Sequence, residues 1–348
     1  MAHKVHLRRL SQNPNYGPPT TAGRPILAAL FAARVGNLCR RPLVFVLLAG
    51  LFLLASPLRA QVPDPEPTPT LRIEVRLVSI FVNVTDRNGA LVGGLGKEDF
   101  RVTEDGRPQT IAVFERQTGQ PLNMTLAIDT SGSVRKDLAE ETAAARHFVH
   151  SILRPQDRMS VLEFATYVRE LSGFTNKPGQ IDRALGQLRS DYATALYEAV
   201  RRGSEQLGPL EGRKVLVLVS DGGNTVDTAT YNEALEAALR NEVMVYALID
   251  VPIEASAGRN LGGEHALITL AEQTGGKHFY VASGGLDQAY RQLGDDLRTQ
   301  YLIGYYPRNQ EPGRGFHRIQ VTVPRAAEGQ FNLRHKTGYF ADPNEAAH

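Results

Sequence analysis

Along the middle of the chain, short apolar runs alternate with longer stretches of helical period. Residues 124–129, 158–165, 214–220, 243–249 and 278–282 read as strands. Residues 136–153, 178–188, 195–207, 228–241, 264–274 and 286–299 read as helices. The runs 215–219 and 243–249 are almost wholly apolar, as strands covered on both faces must be. This alternation predicts an α/β domain over residues 122–300, with a doubly wound, mostly parallel sheet. Loops that follow parallel strands gather at one edge of such a sheet, and ligands bind there. Asp129 and Asp221 both fall at that edge.

The flanks carry a different period. Ile73, Val75 and Leu77 alternate with Arg72, Glu74 and Arg76, and residues 78–84 are largely apolar on both faces. Asn88-Gly89 and Asp105-Gly106 are turn dipeptides beside strand-like residues. Residues 100–104 and 110–114 are expected to pair as a hairpin around Asp105-Gly106. Three more candidate strands, 301–306, 317–323 and 331–339, follow the central domain. The segments 71–117 and 301–340 are each small for a domain. Both are expected to build one β-sandwich with the α/β domain inserted in it; the alternative is two separate small β units. Residues 341–348 read as a tail.

The first sixty residues change the meaning of the composition. Residues 43–55 lack charge and strongly polar groups, follow Arg40-Arg41 and end before Ser56-Pro57-Leu58-Arg59-Ala60-Gln61. This reads as a secretory leader over residues 1–60. A spanning helix needs about 20 apolar residues, so the run is too short to cross a membrane; an uncleaved N-terminal anchor is the alternative. Residues 61–70 are Pro-rich and read as an extended spacer. The expectation is export, to the periplasm, the cell envelope or beyond, with membrane contact only through the leader. Cys39 is the sole cysteine and lies in that leader, so the rest of the chain has no disulfide framework. The formal charge is +2, with 39 Lys and Arg against 37 Asp and Glu. Residues 1–60 hold eight of the basic residues and no acidic one, which leaves 31 against 37, a net of −6, for the remainder. That balance argues against a nucleic-acid partner.

Candidate chemistry lies at the strand ends. Asp129-Thr130-Ser131-Gly132-Ser133 closes the first central strand, Thr194 precedes a helix, and Asp221 follows the strand 214–220. Taken singly, these residues have plainer readings, as helix caps or turn residues. Taken together, they offer oxygen and neither nitrogen nor sulfur, which suits Mg²⁺, Ca²⁺ or Mn²⁺ and argues against Zn²⁺ or Cu²⁺. Gly132 relieves the backbone between two serines whose hydroxyls can face one point.

In chain order the set reads Asp-x-Ser-x-Ser, Thr, Asp. It resembles the metal-ion-dependent adhesion site of von Willebrand factor type A domains, over about residues 122–298. The segment 301–307 is similar to bacterial secreted proteins that carry such a domain. The resemblance implies that Ser131, Ser133 and Thr194 bind the ion directly, and Asp129 and Asp221 directly or through water. Two carboxylates then balance a divalent ion, and one position is left for an oxygen from a partner. The implied function is an exported binding module that grips a protein ligand through that ligand's Asp or Glu. An envelope structural or assembly protein with an idle site is the alternative. A Mg²⁺-dependent phosphohydrolase is a weaker one: haloacid-dehalogenase-like enzymes place a second Asp where Ser131 stands, and no general base is evident. No enzyme is expected. Tyr192 and Tyr197 flank Thr194 as either a binding rim or core. The resemblance also implies that the last helix, 286–299, moves when such a domain switches, and this helix leads directly into the strand 301–306.

Overall fold

Strand β5 (Leu122–Asp129) is buried at every position, and β8 (Arg213–Ser220) and β9 (Val243–Asp250) are buried at all but one each. With β6 (Arg158–Phe164), β7 (Val168–Thr175) and β10 (His278–Val281) they form a sheet of order β10-β9-β8-β5-β6-β7. Every pairing is parallel except β6 with β7. The computed structural model describes residues 77–116, 119–132, 138–250, 260–281, 285–308, 315–324 and 329–341, all within one compact unit. The leader, the spacer, residues 71–76, Ser133 and the tail from 342 onward lie outside the described residues.

Among the described residues, six helices cover the sheet. Leu122, Met124, Leu126 and Ile128 of β5 share a core with α1 (Leu138–Ile152), α2 (Pro178–Leu185) and α6 (Leu286–Arg298). Ala127 and the β8 residues Leu216 and Leu218 share the opposite core with α3 (Leu196–Leu207), α4 (Tyr231–Arg240) and α5 (Leu261–Thr274). Each central strand therefore feeds apolar side chains to both layers, which removes the alternation a half-exposed strand would show. Strand β7 goes unpredicted by the sequence pattern. It is an edge strand whose register against β6 shifts twice, so Val168, Leu171 and Phe174 fall three apart instead of two. Among the described residues, no helix is long and apolar enough to cross a membrane.

Strands from both flanks build two antiparallel sheets, β13-β1-β11-β4 and β14-β12-β2-β3. Strand β1 (Val78–Asp86) pairs with β11 (Tyr301–Tyr305) and β13 (Phe331–Arg334). Strand β2 (Arg101–Glu104) pairs with β12 (Phe316–Thr322). Ile80, Val82, Phe100, Val102, Tyr301, Ile303, Ile319 and Val321 meet in one core between the sheets. The flanks thus form one sandwich with the α/β domain inserted, as expected. Two details differ from expectation. Asp105 and Gly106 both have positive φ, 49° and 78°, so the turn has only two residues and returns the chain at once. The partner of β2 is therefore β3 (Arg107–Gln109), and β4 (Ile111–Arg116) crosses over to pair with β11. The stretch 331–339 is likewise two strands, β13 and β14 (Gly338–Phe340), on different sheets. Between them the Thr337 N–H donates to the carbonyl of Gln273, at the end of α5.

The sandwich meets the α/β domain through buried polar groups. Both oxygens of Asp296, on α6, accept from Arg334 Nη2, at 2.6 and 2.7 Å. Oδ2 also accepts from the Tyr246 hydroxyl at 2.7 Å. Asn83 Nδ2, from β1, donates to the Asp296 carbonyl at 2.8 Å, and Gln300 Nε2 donates to Asn83 Oδ1 at 3.0 Å. Removing one member of a buried charge pair strands the other, typically at about 3–5 kcal/mol. Asp296→Ala is therefore expected to lower stability by that amount in urea unfolding. Asp296→Leu combined with Arg334→Met should recover part of the loss, because no charge is then left unpaired. A double variant no better than the single one would refute this account of the junction.

Candidate metal centre

Asp129 is the last residue of β5 and is 0% exposed. Its Oδ1 accepts the Ser131 N–H at 2.9 Å, and its Oδ2 accepts the Ser220 hydroxyl at 2.6 Å. Ser220 reaches it because Ile128 registers with Val219 across β5 and β8, so the next residues of the two strands lie side by side. The Ser220 oxygen also accepts the Gly222 N–H at 3.1 Å, which folds the loop after β8 back toward Asp129. Asp221 begins that loop, and its Oδ1 accepts the Gly223 N–H at 3.1 Å.

Thr194 arrives from the loop ahead of α3. Its N–H donates to Thr225 Oγ1 at 2.8 Å, and its carbonyl accepts the N–H groups of Thr225 and Val226 at 2.9 and 3.3 Å. Asn224 Oδ1 accepts the Tyr197 N–H, satisfying a donor in the first turn of α3. These bonds clamp the Thr194 loop to the Asp221 loop. A Cβ added at Gly223 would lie 3.4 Å from Asp221 Oδ1 and 3.9 Å from Thr194 Oγ1, so both oxygens face the same small space. The Asp129 loop joins the clamp from the other side: Thr130 N–H donates to the Phe164 carbonyl, and the Thr130 carbonyl accepts the Asp191 N–H.

The structure thus gathers Asp129, Ser131, Thr194 and Asp221 at one place on the sheet edge. Ser133, the fifth residue of the pattern, is among those not described. Ser220 and Thr225 are supporting groups that the sequence pattern does not single out, whereas Asn224 falls in the loop-shaping run Gly222-Gly223-Asn224 beside Asp221. The available signal is the unbroken polar run Ser220 to Thr225 directly after an apolar strand. Tyr197, expected as core or rim, packs its ring edge-on against Tyr231 at 6.0 Å.

Burial pushes the Asp129 carboxyl up to about 6, and the Asp221 charge adds to the rise. Hydrogen bonds from Ser220 and Ser131 pull the other way. Among the described residues, no Lys, Arg or His forms an ion pair with Asp129 or Asp221. Two carboxylates therefore share a site with hydroxyls and without a protein cation, a donor set that could hold a hard divalent ion. A second group, Glu104, Asp105 and His317 in the sandwich, brings its ligand atoms within 4.8 Å of one another. Here the polar atoms already serve each other. His317 Nδ1 and Asp105 Oδ2 are 2.9 Å apart, and the Tyr305 and Tyr339 hydroxyls donate to Glu104 Oε2. This group reads as a polar pin between β2 and β12.

The raised Asp129 value has a defined consequence in the absence of metal. A carboxyl with a higher pKa folded than unfolded holds its proton more tightly in the fold. Its contribution to stability is complete below about pH 4 and is lost as pH rises through about 6. Chelated protein is expected to lose about 3 kcal/mol over that window through this group. Asp129→Asn should remove this component, as measured by urea unfolding across pH; parallel profiles for the two proteins would contradict it.

Comparison with known proteins bears on the same segment. The family model for the von Willebrand factor type A domain matches residues 124–224. No curated protein matches the chain. Among solved structures, the conserved hypothetical protein BatB from Bacteroides thetaiotaomicron is 18% identical, with a TM-score of 0.42, over 51% of this chain and 97% of that one. The vWF domain of the type V pili tip protein Mfa5 from Porphyromonas gingivalis is 12% identical, with a TM-score of 0.42, over 51% and 95%. A von Willebrand factor type A protein from Catenulispora acidiphila is 10% identical, with a TM-score of 0.45, over 81% and 78%. These likenesses are distant. The matched residues contain Asp129, Ser131, Thr194 and Asp221 on the strands and loops described above, and the chain carries a von Willebrand factor type A domain.

Proposed function

We propose that this protein is an exported binding module that engages a protein ligand through a divalent cation, Mg²⁺ or else Ca²⁺ or Mn²⁺. Asp129, Ser131, Ser133, Thr194 and Asp221 are the residues assigned to hold it. The observation that carries the reading is the pair of carboxylates at one sheet edge, one fully buried, with no protein cation paired to either among the described residues. Export is supported by the apolar run 43–55 behind Arg40-Arg41.

The chain's own residues divide the work. Asp129 and Asp221 bring two negative charges, enough to balance one divalent ion. Ser131 and Thr194 add neutral oxygens, which neutralise nothing further. Ser220 orients Asp129 and lowers its proton affinity. Thr225 and Asn224 hold the Thr194 loop in place. A bound ion would supply an open coordination position for a carboxylate from the partner, an Asp or Glu side chain. An assembly protein with an idle site is the second reading, favoured by the fact that both Asp129 oxygens already accept hydrogen bonds within the protein.

Calorimetric titration with Mg²⁺, Ca²⁺ and Mn²⁺ separates the two. Saturable binding is expected in the native protein and should be abolished by Asp221→Ala. Thr225→Val keeps shape and removes the acceptor for the Thr194 N–H; a loss of about tenfold in cation affinity is expected. Absence of cation binding by the native protein would favour the idle-site reading.

A further inference from the structure

Among the described residues, five large apolar side chains are well exposed: Tyr192, Tyr167, Leu261, Tyr280 and Tyr306. The three most exposed of these are Tyr192, Tyr167 and Leu261, at 92%, 79% and 68%. Tyr192 and Tyr167 stand on loops, and Leu261 on the first turn of α5, at the sheet edge that carries the candidate metal centre. Tyr192 follows Asp191, whose N–H is bound by the Thr130 carbonyl. The Tyr167 carbonyl accepts the Ala165 N–H, and the Ala165 carbonyl accepts the N–H of Ala195, the residue after Thr194. Leu261 opens α5, and two residues on, Gly263 lies against the backbone of Gly222, beside Asp221. A Cβ at Gly222, where φ is +91°, would come within 2.7 Å of Gly263, so the contact leaves no room for a side chain. Two tyrosines thus lie on the Thr194 side of the centre and a leucine on the Asp221 side.

Folding does not call for this arrangement. These side chains pack on little, and polar residues would serve a solvated loop better. Tyrosine gives an interface a large rigid contact area at small entropic cost while its hydroxyl stays wet. We propose that Tyr192, Tyr167 and Leu261 form an apolar rim around the cation site. Resting on the cation reading above, this rim assigns the ligand's chemistry. The ligand is an extended polypeptide segment whose coordinating carboxylate is flanked on both sides by apolar side chains. The ion's open position selects the acidic residue, and the rim on either side of it selects the neighbours. A strongly acidic tract would satisfy the cation and waste the rim.

The test is selection from a display library of random short peptides on the full protein in Mg²⁺, with elution by chelator. Enriched peptides are expected to carry one Asp or Glu between apolar residues. Their affinity should fall by about tenfold or more in Tyr192→Ser and in Tyr167→Ser. Mg²⁺ affinity, read by calorimetry without peptide, should stay unchanged in both, since neither side chain belongs to the ion's donor set. Leu261→Ser is the third variant, with the same expectation. Chelator-released acidic peptides that lack apolar flanks, or that bind the three variants as tightly as the native protein, would overturn the rim and leave the cation reading standing. Failure of the native protein to bind Mg²⁺, or to enrich any chelator-released peptide, would overturn both.

Discussion

A negative charge held at the dry end of a buried strand is the constraint around which the rest of this site is arranged. Asp129 ends β5, the strand flanked by β8 and β6 in the middle of the sheet. A carboxylate in that position is expensive to ionise, and water is not at hand to relieve it. The protein answers with donors that carry no formal charge, the Ser131 N–H and the Ser220 hydroxyl. These lower the penalty without cancelling the charge. An Arg or Lys would have cancelled it and closed the site to any other cation. Weak, neutral support leaves this edge of the sheet with its carboxylates facing no side-chain cation among the described residues.

Such support places demands on the loops. Neutral donors act only at short range, so the three loops that meet at the centre must be held to one another by backbone bonds. Thr194 with Thr225, Thr130 with Phe164 and Asp191, and Ala165 with Ala195 supply that lacing. The opposite end of the domain is organised by different means. There Asp296 does meet a full positive charge, the partly buried Arg334, and the carboxylate itself is buried with Tyr246 and Asn83. One end of the domain has its charges paired within the protein, and the other keeps two carboxylates unpaired by any side-chain cation among the described residues.

Much of this was legible in the sequence, and the exceptions have three separate physical causes. Continuous apolar runs disclosed β5, β8 and β9, because burial on both faces leaves a mark in composition alone. Residue type and order disclosed Asp129, Ser131, Thr194 and Asp221 as a set. Part of what stayed hidden depends on which strands are neighbours. Ser220 is an unremarked serine until the sheet order sets β8 beside β5. The bond from Asn83 to Asp296 joins residues 213 positions apart. Strand β7 was hidden locally, since bulges against β6 break the two-residue period that would announce it. The destination of β4 was hidden for another reason: a two-residue turn at Asp105-Gly106 uses up the pairing that 110–114 was expected to make.

The insertion of one domain within another also governs the order in which the molecule can be made. Strand β1 registers Val78 against Tyr305, and β2 registers Val102 against Val321. During synthesis, the early strands therefore emerge with their partners still missing. The α/β domain, whose own sheet and helices lie within residues 122–298, emerges whole before those partners arrive. Once folded, it brings the end of β4 and the start of β11 together and shortens the search for the long-range pairs. Until then β1 presents open edges to any other strand nearby. The inserted domain thus sets the distance across which the sandwich must close, and the open edges of β1 wait for as long as the chain takes to reach its last strands.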